Sequence, residues 1–302
     1  MYISSVVFLF ISFFVVFLQS NPMLMEYVAL WKRLVPLYDE GEAKAVVRWM
    51  LESAFNLTTA DVLCGKVTQL SADDQLKLEQ MMRRLEKAEP VQYVLGEAFF
   101  RGRRFHVERG VLIPRPETEE LCGWVVDTVG ARGGLRVLDV GTGSGCIAIT
   151  LAKELPGARV EAWDVSEKAL AVAQDNANRL EALVVCRRQD ALHPPTEEEC
   201  WDVIVSNPPY VGMSERQAMH RNVLDYEPHE ALFVGEDDPL LFYRSIATYA
   251  ATALRHGGRL FFEINPRFAD TLVLLLQQCR FSQIETRDDA FGRCRFIQAL
   301  RT

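Results

Sequence analysis

The sequence predicts an α/β fold in which helices cover both faces of a mostly parallel β-sheet. From about residue 111 onward, short apolar segments rich in β-branched residues alternate with longer segments of helical periodicity. Such alternation requires crossover connections, which produce parallel strands. Glycine and polar residues follow several predicted strands, where sheets of this kind bind ligands. With 302 residues, 49% of them apolar, the chain has room for this domain and a smaller one.

The first residues differ in composition from the rest of the chain. The run from Met1 to Leu18 is almost wholly apolar, and no Lys or Arg precedes Lys32. It lacks the basic region and cleavage site of a secretory signal, although it approaches the length of a membrane span. We interpret residues 1–24 as an extension created by a mis-assigned start, with Met23 or Met25 as the true start. A membrane anchor and a signal peptide are the alternatives.

A helical region follows this extension. Apolar residues recur at helical spacing between Glu26 and Ala88. Ser71 and Asp74 match a capping-box-like pattern, which predicts the start of one of these helices. We therefore expect residues 25–88 to form a small helical bundle.

A β-hairpin is predicted directly after Pro90. The segments Gln92–Phe100 and Arg103–Val107 are rich in strand-forming residues and flank Arg101 and Gly102. We expect residues 89–110 to form a hairpin that connects the two domains. Its tip carries the densest basic cluster in the sequence, which is either a solvated turn or a contact for an acidic or RNA-bearing partner.

Seven strands and several helices are predicted in the remaining domain, which we place at residues 111–302. The strands are Val137–Val140, Val160–Asp164, Leu183–Arg187, Val203–Ser206, Gly258–Ile264, Phe281–Thr286 and Arg295–Leu300. Helical segments include Leu240–Leu254 and Phe268–Cys279.

A glycine-rich loop follows the first of these strands. Asp139 lies at the end of the strand, and Gly141, Gly143 and Gly145 alternate with other residues behind it. Glycines at this spacing let the backbone turn sharply and let a ligand approach closely. Dinucleotide-binding folds use a related loop, but their third glycine comes three positions after the second, which is not the case here.

The second strand ends in another acid, Asp164. A carboxylate at this position can accept hydrogen bonds from both hydroxyls of a ribose. The alternative is that Asp164 caps the helix that begins near Ser166, and the two roles are compatible.

The fourth strand is followed by Asn207, Pro208, Pro209 and Tyr210. Two prolines cannot continue a ladder of hydrogen bonds, so the strand must end there. The resulting rigid loop offers an amide, carbonyl acceptors and an aromatic face, which together can hold a planar group that bears an NH2. The alternative is an ordinary strand exit capped by prolines.

Together these motifs resemble the class I S-adenosylmethionine-dependent methyltransferases, whose fold is Rossmann-like with a mostly parallel seven-stranded sheet. Three further segments are similar to the HemK family of N5-glutamine methyltransferases: Gly110–Glu120, Tyr226–Phe233 and Phe242–Arg244. The likeness runs from about Met25 to the end of the chain. It implies methyl transfer to a protein glutamine, best known from the Gly-Gly-Gln motif of peptide chain release factors. It also implies that the helical domain helps to hold the protein substrate.

These expectations assign roles to the residues of both loops. We expect Asn207 Oδ1 and the Pro208 carbonyl to accept the two protons of the substrate amide while Tyr210 packs over its plane, with Pro209 as part of the substrate-binding loop. The residues predicted to bind S-adenosylmethionine are Asp139, Gly141, Thr142, Gly143, Gly145, Asp164, Asp190 and Asn207. Within this set, Asp190 or its neighbour Ala191 would contact the adenine, although Asp190 could instead be only a cap.

Composition limits the partners that we expect. A net charge of −8 and a pI near 5.3 argue against a protein that binds nucleic acid mainly through phosphate contacts. The seven scattered cysteines indicate reduced thiols and a cytoplasmic protein. No His spacing suits a metal, so none is expected. We expect a monomer that binds release factors, without stable binding to nucleic acid or to membranes.

The sequence leaves three alternative functions open and four motif residues without an assigned role. The first alternative is a nucleic-acid methyltransferase, in which the same loop would bind adenine or guanine. The second is a glutamine methyltransferase whose substrate is a ribosomal protein. The third is a non-catalytic subunit that no longer binds the cofactor. The motif residues Glu117, Thr118, Glu119 and Glu263 match the family, but the sequence does not assign them a role. Asn265 stands where many relatives have Gly, which leaves the loop after Glu263 in question.

Overall fold

The computed structural model describes residues 22–130 and 132–302. Most of the predicted extension, residues 1–21, lies outside the described residues, and the first described helix already begins at Pro22. Across the described ranges, no helix combines the length and the apolar character that crossing a membrane requires.

The chain divides into two compact units between Leu95 and Gly96. The first unit is helical, as the sequence predicts for residues 25–88. Its helices are α1 (Pro22–Lys32), α2 (Glu40–Phe55), α3 (Thr59–Leu63), α4 (Ala72–Leu85) and α5 (Val91–Leu95), with a 3-10 turn at Lys66–Gln69.

Polar side chains define where three of these helices begin. Asp39 caps α2 by accepting from the Glu42 N–H at 2.9 Å. Thr58 caps α3 within a complete capping box. The prediction that Ser71 and Asp74 start a helix is confirmed, because the Ser71 hydroxyl accepts from the Asp74 N–H at 3.1 Å and α4 follows.

The predicted strand at Gln92–Phe100 is wrong in its first half. Helix α5 occupies that half, because the N–H groups of Tyr93 and Val94 both donate to the Pro90 carbonyl at 3.0 Å. Proline suits the first turn of a helix, where its missing N–H needs no partner. The apolar residues that resembled a strand instead pack into the core of the helical unit.

The hairpin itself is confirmed in the second unit. Strands β1 (Glu97–Phe100) and β2 (Arg103–His106) pair antiparallel. Arg101 and Gly102 form the turn with φ of 48° and 71°. The left-handed region is costly for a residue with a side chain, and the two-residue turn requires it at both positions.

The predicted α/β class is confirmed by the central sheet of the second unit. Its strands are β3 (Arg136–Val140), β4 (Arg159–Asp164), β5 (Val184–Arg188), β6 (Trp201–Ser206), β9 (Leu254–Glu263), β10 (Phe281–Asp288) and β11 (Cys294–Arg301). Within the described residues the sheet has seven strands in the order β10-β11-β9-β6-β3-β4-β5, and β11 is the one strand that runs opposite to the other six. Strands β7 (Val211–Gly212) and β8 (Phe233–Val234) form a separate parallel pair.

Helices cover both faces of this sheet. They are α6 (Pro116–Val129), α7 (Cys146–Glu154), α8 (Glu167–Arg179), α9 (Arg221–Tyr226), α10 (His229–Leu232), α11 (Leu241–Ala253) and α12 (Ala269–Gln278). In β6, Val203 and Val205 pack on the side of α6 and α7, whereas Ile204 packs on the side of α11 and α12. Since successive strand residues face opposite sides, two buried faces require an unbroken apolar run.

Asn176 on α8 fastens the hairpin to the glycine-rich loop. Its side chain is fully buried and accepts from the His106 N–H at 2.6 Å. Its Nδ2 donates to the carbonyls of His106 and Ser144, both at 2.9 Å. One amide therefore satisfies three backbone groups from two distant segments, and the Ser144 carbonyl among them is buried.

We predict that Asn176→Ala destabilises the protein by about 3 kcal/mol, because it removes a fully buried amide and leaves these three backbone groups without partners. The matched control is Asn178→Ala on the same helix, where the side chain is exposed and the cost should stay below about 0.5 kcal/mol. Urea denaturation of both variants measures the difference. Equal stability of the two variants would contradict this account of the contact.

Candidate active site

The residues predicted to form the site lie at one edge of the sheet. Strands β6, β3, β4 and β5 are parallel neighbours, so their carboxyl ends meet. The register aligns Val140 with Ser206 on one side and with Trp163 on the other. The glycine loop, Asp164 and Asn207 begin directly after these aligned positions, as predicted.

The glycine loop presents an open backbone surface. Gly141, Gly143 and Gly145 have φ of 77°, 56° and 81°, which favours glycine at each position. A Cβ added at Gly141 or Gly143 would meet nothing within 4 Å. At Gly145 it would approach Ile149 Cδ1 to 3.0 Å and Ala173 Cβ to 3.1 Å. The first two glycines thus leave space for a ligand, and the third permits helix packing.

Internal hydrogen bonds hold this loop in shape. The N–H groups of Gly141 and Thr142 both donate to the Trp163 carbonyl at 2.9 Å. The Gly143 N–H donates to Asp164 Oδ2 at 2.9 Å. These amides belong to residues predicted to bind the cofactor, but they have partners within the protein. The loop therefore offers a ligand close approach to its backbone, without these three N–H groups as hydrogen-bond donors.

Asp139 lies beneath the loop and is fully buried. Its Oδ2 accepts from the Thr142 hydroxyl at 2.6 Å and from the Ala148 N–H at 3.1 Å. Its Oδ1 has no hydrogen-bond partner among the described residues. Burial raises the pKa of the Asp139 carboxyl to about 7, despite both hydrogen bonds. Asp139 thus braces the loop from beneath, and its second oxygen is buried without a partner among the described residues.

Asp164 connects the glycine loop to helix α8. Its Oδ2 accepts from Gly143 and its Oδ1 accepts from the Ser166 N–H, both at 2.9 Å. The helix cap is Ser166, whose hydroxyl accepts from the Ala169 N–H at 3.2 Å, so the interpretation of Asp164 as the cap is wrong. Burial raises the pKa of the Asp164 carboxyl. Its position beside Gly143 suits a ligand that carries hydroxyls.

Asp190 follows β5 and stabilises a turn. Its Oδ1 accepts from the Leu192 N–H at 2.8 Å, and its Oδ2 lies 2.7 Å from His193 Nδ1. The hydrogen bond with His193 is the main cause that lowers the pKa of Asp190. The neighbouring Ala191 carbonyl accepts from the Ser245 hydroxyl at 2.6 Å. Both oxygens of Asp190 are therefore engaged in the turn, which agrees with the alternative of a cap.

The loop after β6 holds its asparagine in one orientation. Asn207 Nδ2 donates to the Thr118 hydroxyl at 3.1 Å, and Oδ1 has no partner within the described residues. The following Pro208 is buried. The loop thus combines an unused amide oxygen with a backbone that its two prolines make rigid.

Glu263 supports this loop from the end of β9. Its Oε2 accepts from the Thr118 hydroxyl at 2.7 Å, and its Oε1 accepts from the Tyr210 hydroxyl at 3.0 Å. The side chain is only 1% exposed, and burial raises the pKa of its carboxyl while both hydrogen bonds oppose that effect. No role for Thr118 or Glu263 could be predicted from the sequence. Their match to the family motifs was the one signal that pointed to them.

Tyr210 is fixed at both ends. Its hydroxyl donates to Glu263, its carbonyl accepts from Asn265 Nδ2 at 3.2 Å, and the Arg295 guanidinium lies 5.9 Å from its ring centroid. Asn265 also donates to Glu215 Oε1 at 2.9 Å. Asn265 therefore supports the loop through its side chain. The glycine expected at this position in many relatives has no side chain that could do so.

Two of the motif segments meet at Glu227. This buried carboxylate accepts from the Ile113 N–H at 3.1 Å and pairs with Arg115 at 2.5 Å. The contact joins the segment before α6 to the segment after α9. In the described part of the chain, no cluster of His, Cys, Asp and Glu side chains is arranged to hold a metal ion.

Comparison with known proteins decides the family. A release factor glutamine methyltransferase from Bacteroides thetaiotaomicron is 45% identical over 270 residues, which cover 89% of this chain and 96% of that protein. The chain belongs to the release factor glutamine methyltransferase family. Members from Flavobacterium psychrophilum and Streptococcus pneumoniae are 41% and 34% identical over 88% and 86% of this chain, and over 94% and 93% of their own lengths.

Two family models match separate parts of this glutamine methyltransferase family member. The one described as "PrmC N-terminal domain" matches residues 31–96, within the region of α1 to α5. The one described as "Methyltransferase small domain" matches residues 124–227, which include the glycine loop, Asp164 and the loop of Asn207. The resemblance inferred from the motifs is thereby confirmed.

We predict that Asp139→Asn changes how stability depends on pH. The folded-state pKa of Asp139, about 7, lies above its ordinary value of 3.8, so the stability that protonation contributes is present below about pH 4 and is lost as pH rises through 7. Asparagine can accept both existing hydrogen bonds and cannot lose a proton.

The stability of Asp139→Asn relative to wild type should therefore rise from about pH 4 to about pH 7, by at most about 1.4 kcal/mol per pH unit, and stay level at higher pH. Calorimetry across this range gives both curves. Parallel curves would mean that Asp139 is not protonated in the folded protein.

Proposed function

We propose that this protein transfers a methyl group from S-adenosylmethionine to the side-chain amide nitrogen of a glutamine in peptide chain release factors. The observation that carries the proposal is the orientation of Asn207. Its NH2 is bound to Thr118, so its carbonyl oxygen is the atom left for a substrate. An oxygen acceptor at this position suits a neutral group that bears protons, such as a primary amide.

The residues around the glycine loop fit S-adenosylmethionine. Open space above Gly141 and Gly143 admits a ligand close to the backbone. Beside them, Asp164 could accept from the ribose hydroxyls, and the free oxygen of Asp139 could accept from the cofactor's amino group. Asp190 or Ala191 would lie toward the adenine. When bound, the cofactor supplies a methyl group already activated by its sulfonium.

The chain's own residues then orient the substrate. An amide nitrogen is a weak nucleophile, because its lone pair is delocalised into the carbonyl. Asn207 Oδ1 and the Pro208 carbonyl would accept its two protons and fix its direction, while Tyr210 packs over the amide plane. The same two oxygens would stabilise positive charge as it develops on the nitrogen. This chemistry requires positioning and exclusion of water more than it requires a base.

The choice of a release factor follows the names of the relatives, which are release factor glutamine methyltransferases. A nucleic-acid substrate has less support. Arg101 and Arg103 both pair with Glu154, at 2.6 and 2.9 Å, and Arg104 lies 3.5 Å from Glu97. Two carboxylates thus pair with the three arginines of the densest basic cluster, which favours the solvated turn over an RNA contact. A ribosomal protein remains the second candidate substrate.

We also propose how the chain is organised for this reaction. Residues 25–88 would form the domain that holds the protein substrate, residues 89–110 the connector, and residues 111–302 the catalytic domain. The match of residues 31–96 to the PrmC N-terminal domain supports the first assignment. A cytoplasmic monomer suits a release factor as substrate, since release factors act on ribosomes.

We predict that Asn207→Ala lowers kcat by about 100-fold, because the substrate nitrogen loses an orienting acceptor. The Kd for S-adenosylmethionine should stay near the wild-type value, since Asn207 chiefly contacts the substrate. Steady-state kinetics and calorimetry separate the two quantities, with Asn178→Ala as the exposed control. An equal loss of turnover and of cofactor affinity would show that Asn207 has been assigned the wrong role.

The proposed function is tested with the full chain, S-adenosylmethionine and an unmodified release factor. We expect peptide mapping by mass spectrometry to find a single methyl group on the glutamine of Gly-Gly-Gln. A release factor with glutamate at that position serves as the negative control. Cofactor binding without transfer would reject the release factor, and ribosomal proteins and then nucleic acid would be tested next.

A further inference from the structure

We propose that Thr118 and Glu263 are positioning residues that determine which atom of the Asn207 amide meets the substrate. The proposal rests on the function proposed above and concerns the same site. It assigns a role to two buried side chains that act through Asn207, Thr118 at 3% exposure and Glu263 at 1%.

The direction of each hydrogen bond follows from the donors available. An ionised carboxylate can only accept, so Thr118 must donate its single hydroxyl proton to Glu263. Toward Asn207 the same hydroxyl can then only accept, at 3.1 Å. Asn207 must therefore present its NH2 to Thr118. The amide oxygen is left for the substrate, as acceptance of an amide proton requires.

The same carboxylate holds the other end of the loop. Tyr210 donates its hydroxyl to the second oxygen of Glu263. The Glu263 backbone is itself held, because the Tyr243 hydroxyl donates to its carbonyl at 3.0 Å. One side chain thus fixes both the amide of Asn207 and the ring of Tyr210.

Protonation of Glu263 would disturb this arrangement. A protonated carboxyl must donate one hydrogen bond, either to Thr118 or to Tyr210. If Thr118 accepts this hydrogen bond, its own hydroxyl proton turns toward Asn207. The Asn207 amide must then rotate so that its oxygen accepts that proton. The substrate NH2 would then face another NH2, so a proton on the Glu263 oxygen that faces Thr118 is incompatible with turnover.

The charges around Glu263 act in both directions. Burial and Glu117 raise the pKa of its carboxyl, whereas Arg295 and the hydrogen bonds from Thr118 and Tyr210 lower it, with the net direction upward. The titratable groups that face it from other elements are Tyr210 in the loop, Arg295 on β11, Glu117 on α6, Cys146 on α7 and Tyr243 on α11. Turnover should therefore decline as pH falls through this raised pKa.

The first experiment compares three buried threonine variants by kcat for release-factor methylation. Thr118→Val keeps the shape but removes the hydroxyl, and we expect kcat to fall at least about tenfold. Thr118→Ser restores the hydroxyl and should recover most of the loss. The control is Thr150→Val, since the fully buried Thr150 hydroxyl has no partner among the described residues. It should behave as wild type. Equal losses in the serine and valine variants of Thr118 would overturn the proposal.

The second experiment does not depend on the substrate. The side-chain NH2 signal of Asn207 is observed by NMR in 15N-labelled full-length protein and identified by its loss in Asn207→Asp. We expect this signal to shift in Thr118→Val, to titrate with pH in wild type, and not to titrate in Glu263→Gln. A signal that neither shifts nor titrates would overturn the proposal. Expected NMR results without methyl transfer by wild type would instead reject the proposed function alone.

Discussion

The buried carboxylate of Glu263 connects the parts of the molecule on which the candidate active site depends. Its two oxygens bind Thr118, which lies 145 positions away in sequence, and Tyr210, which lies 53 positions away. A carboxylate in a site with so little water is costly unless its oxygens accept hydrogen bonds. Both donors come from segments that frame the loop of Asn207. The orientation of that loop is therefore linked to the satisfaction of one buried charge.

The topology of the sheet makes this contact possible. Strands β6 and β9 are parallel neighbours, with Ser206 aligned to Phe262, so Asn207 and Glu263 emerge side by side. Strand β11 runs the other way and aligns Phe296 with Glu263, which brings Arg295 to the same edge. On the opposite side of β6, strands β3 and β4 contribute the glycine loop and Asp164. The residues proposed to bind substrate and cofactor thus occupy adjacent positions along one line of strand ends.

Local patterns in the sequence were sufficient to predict most of the fold. Apolar runs indicated the strands of the sheet, because a strand buried on both faces leaves a continuous signal of this kind. The segment at Val91–Leu95 was misassigned, since a five-residue segment with four apolar residues fits a helix and a strand equally well without knowledge of the Pro90 carbonyl. Glycine spacing and the two prolines indicated the positions of both loops, because these residues restrict the backbone wherever they occur.

The sequence could not predict the contacts between distant side chains. Nothing near Thr118 in the chain indicates that it bonds to Glu263 and Asn207, since these contacts arise only when α6, β6 and β9 pack together. The same holds for Asp139, whose position beneath the loop depends on the fold of α7. A polar residue after a strand predicts the edge on which it lies. It does not predict whether it faces a ligand or braces the backbone.

The most direct test of this account is a crystal structure of the protein with S-adenosylhomocysteine and a peptide that contains Gly-Gly-Gln. The account predicts that the glutamine side-chain nitrogen lies within about 3.2 Å of both Asn207 Oδ1 and the Pro208 carbonyl oxygen, with Asn207 Nδ2 still on Thr118. A glutamine bound away from this loop, or one that faces the NH2 of Asn207, would contradict it.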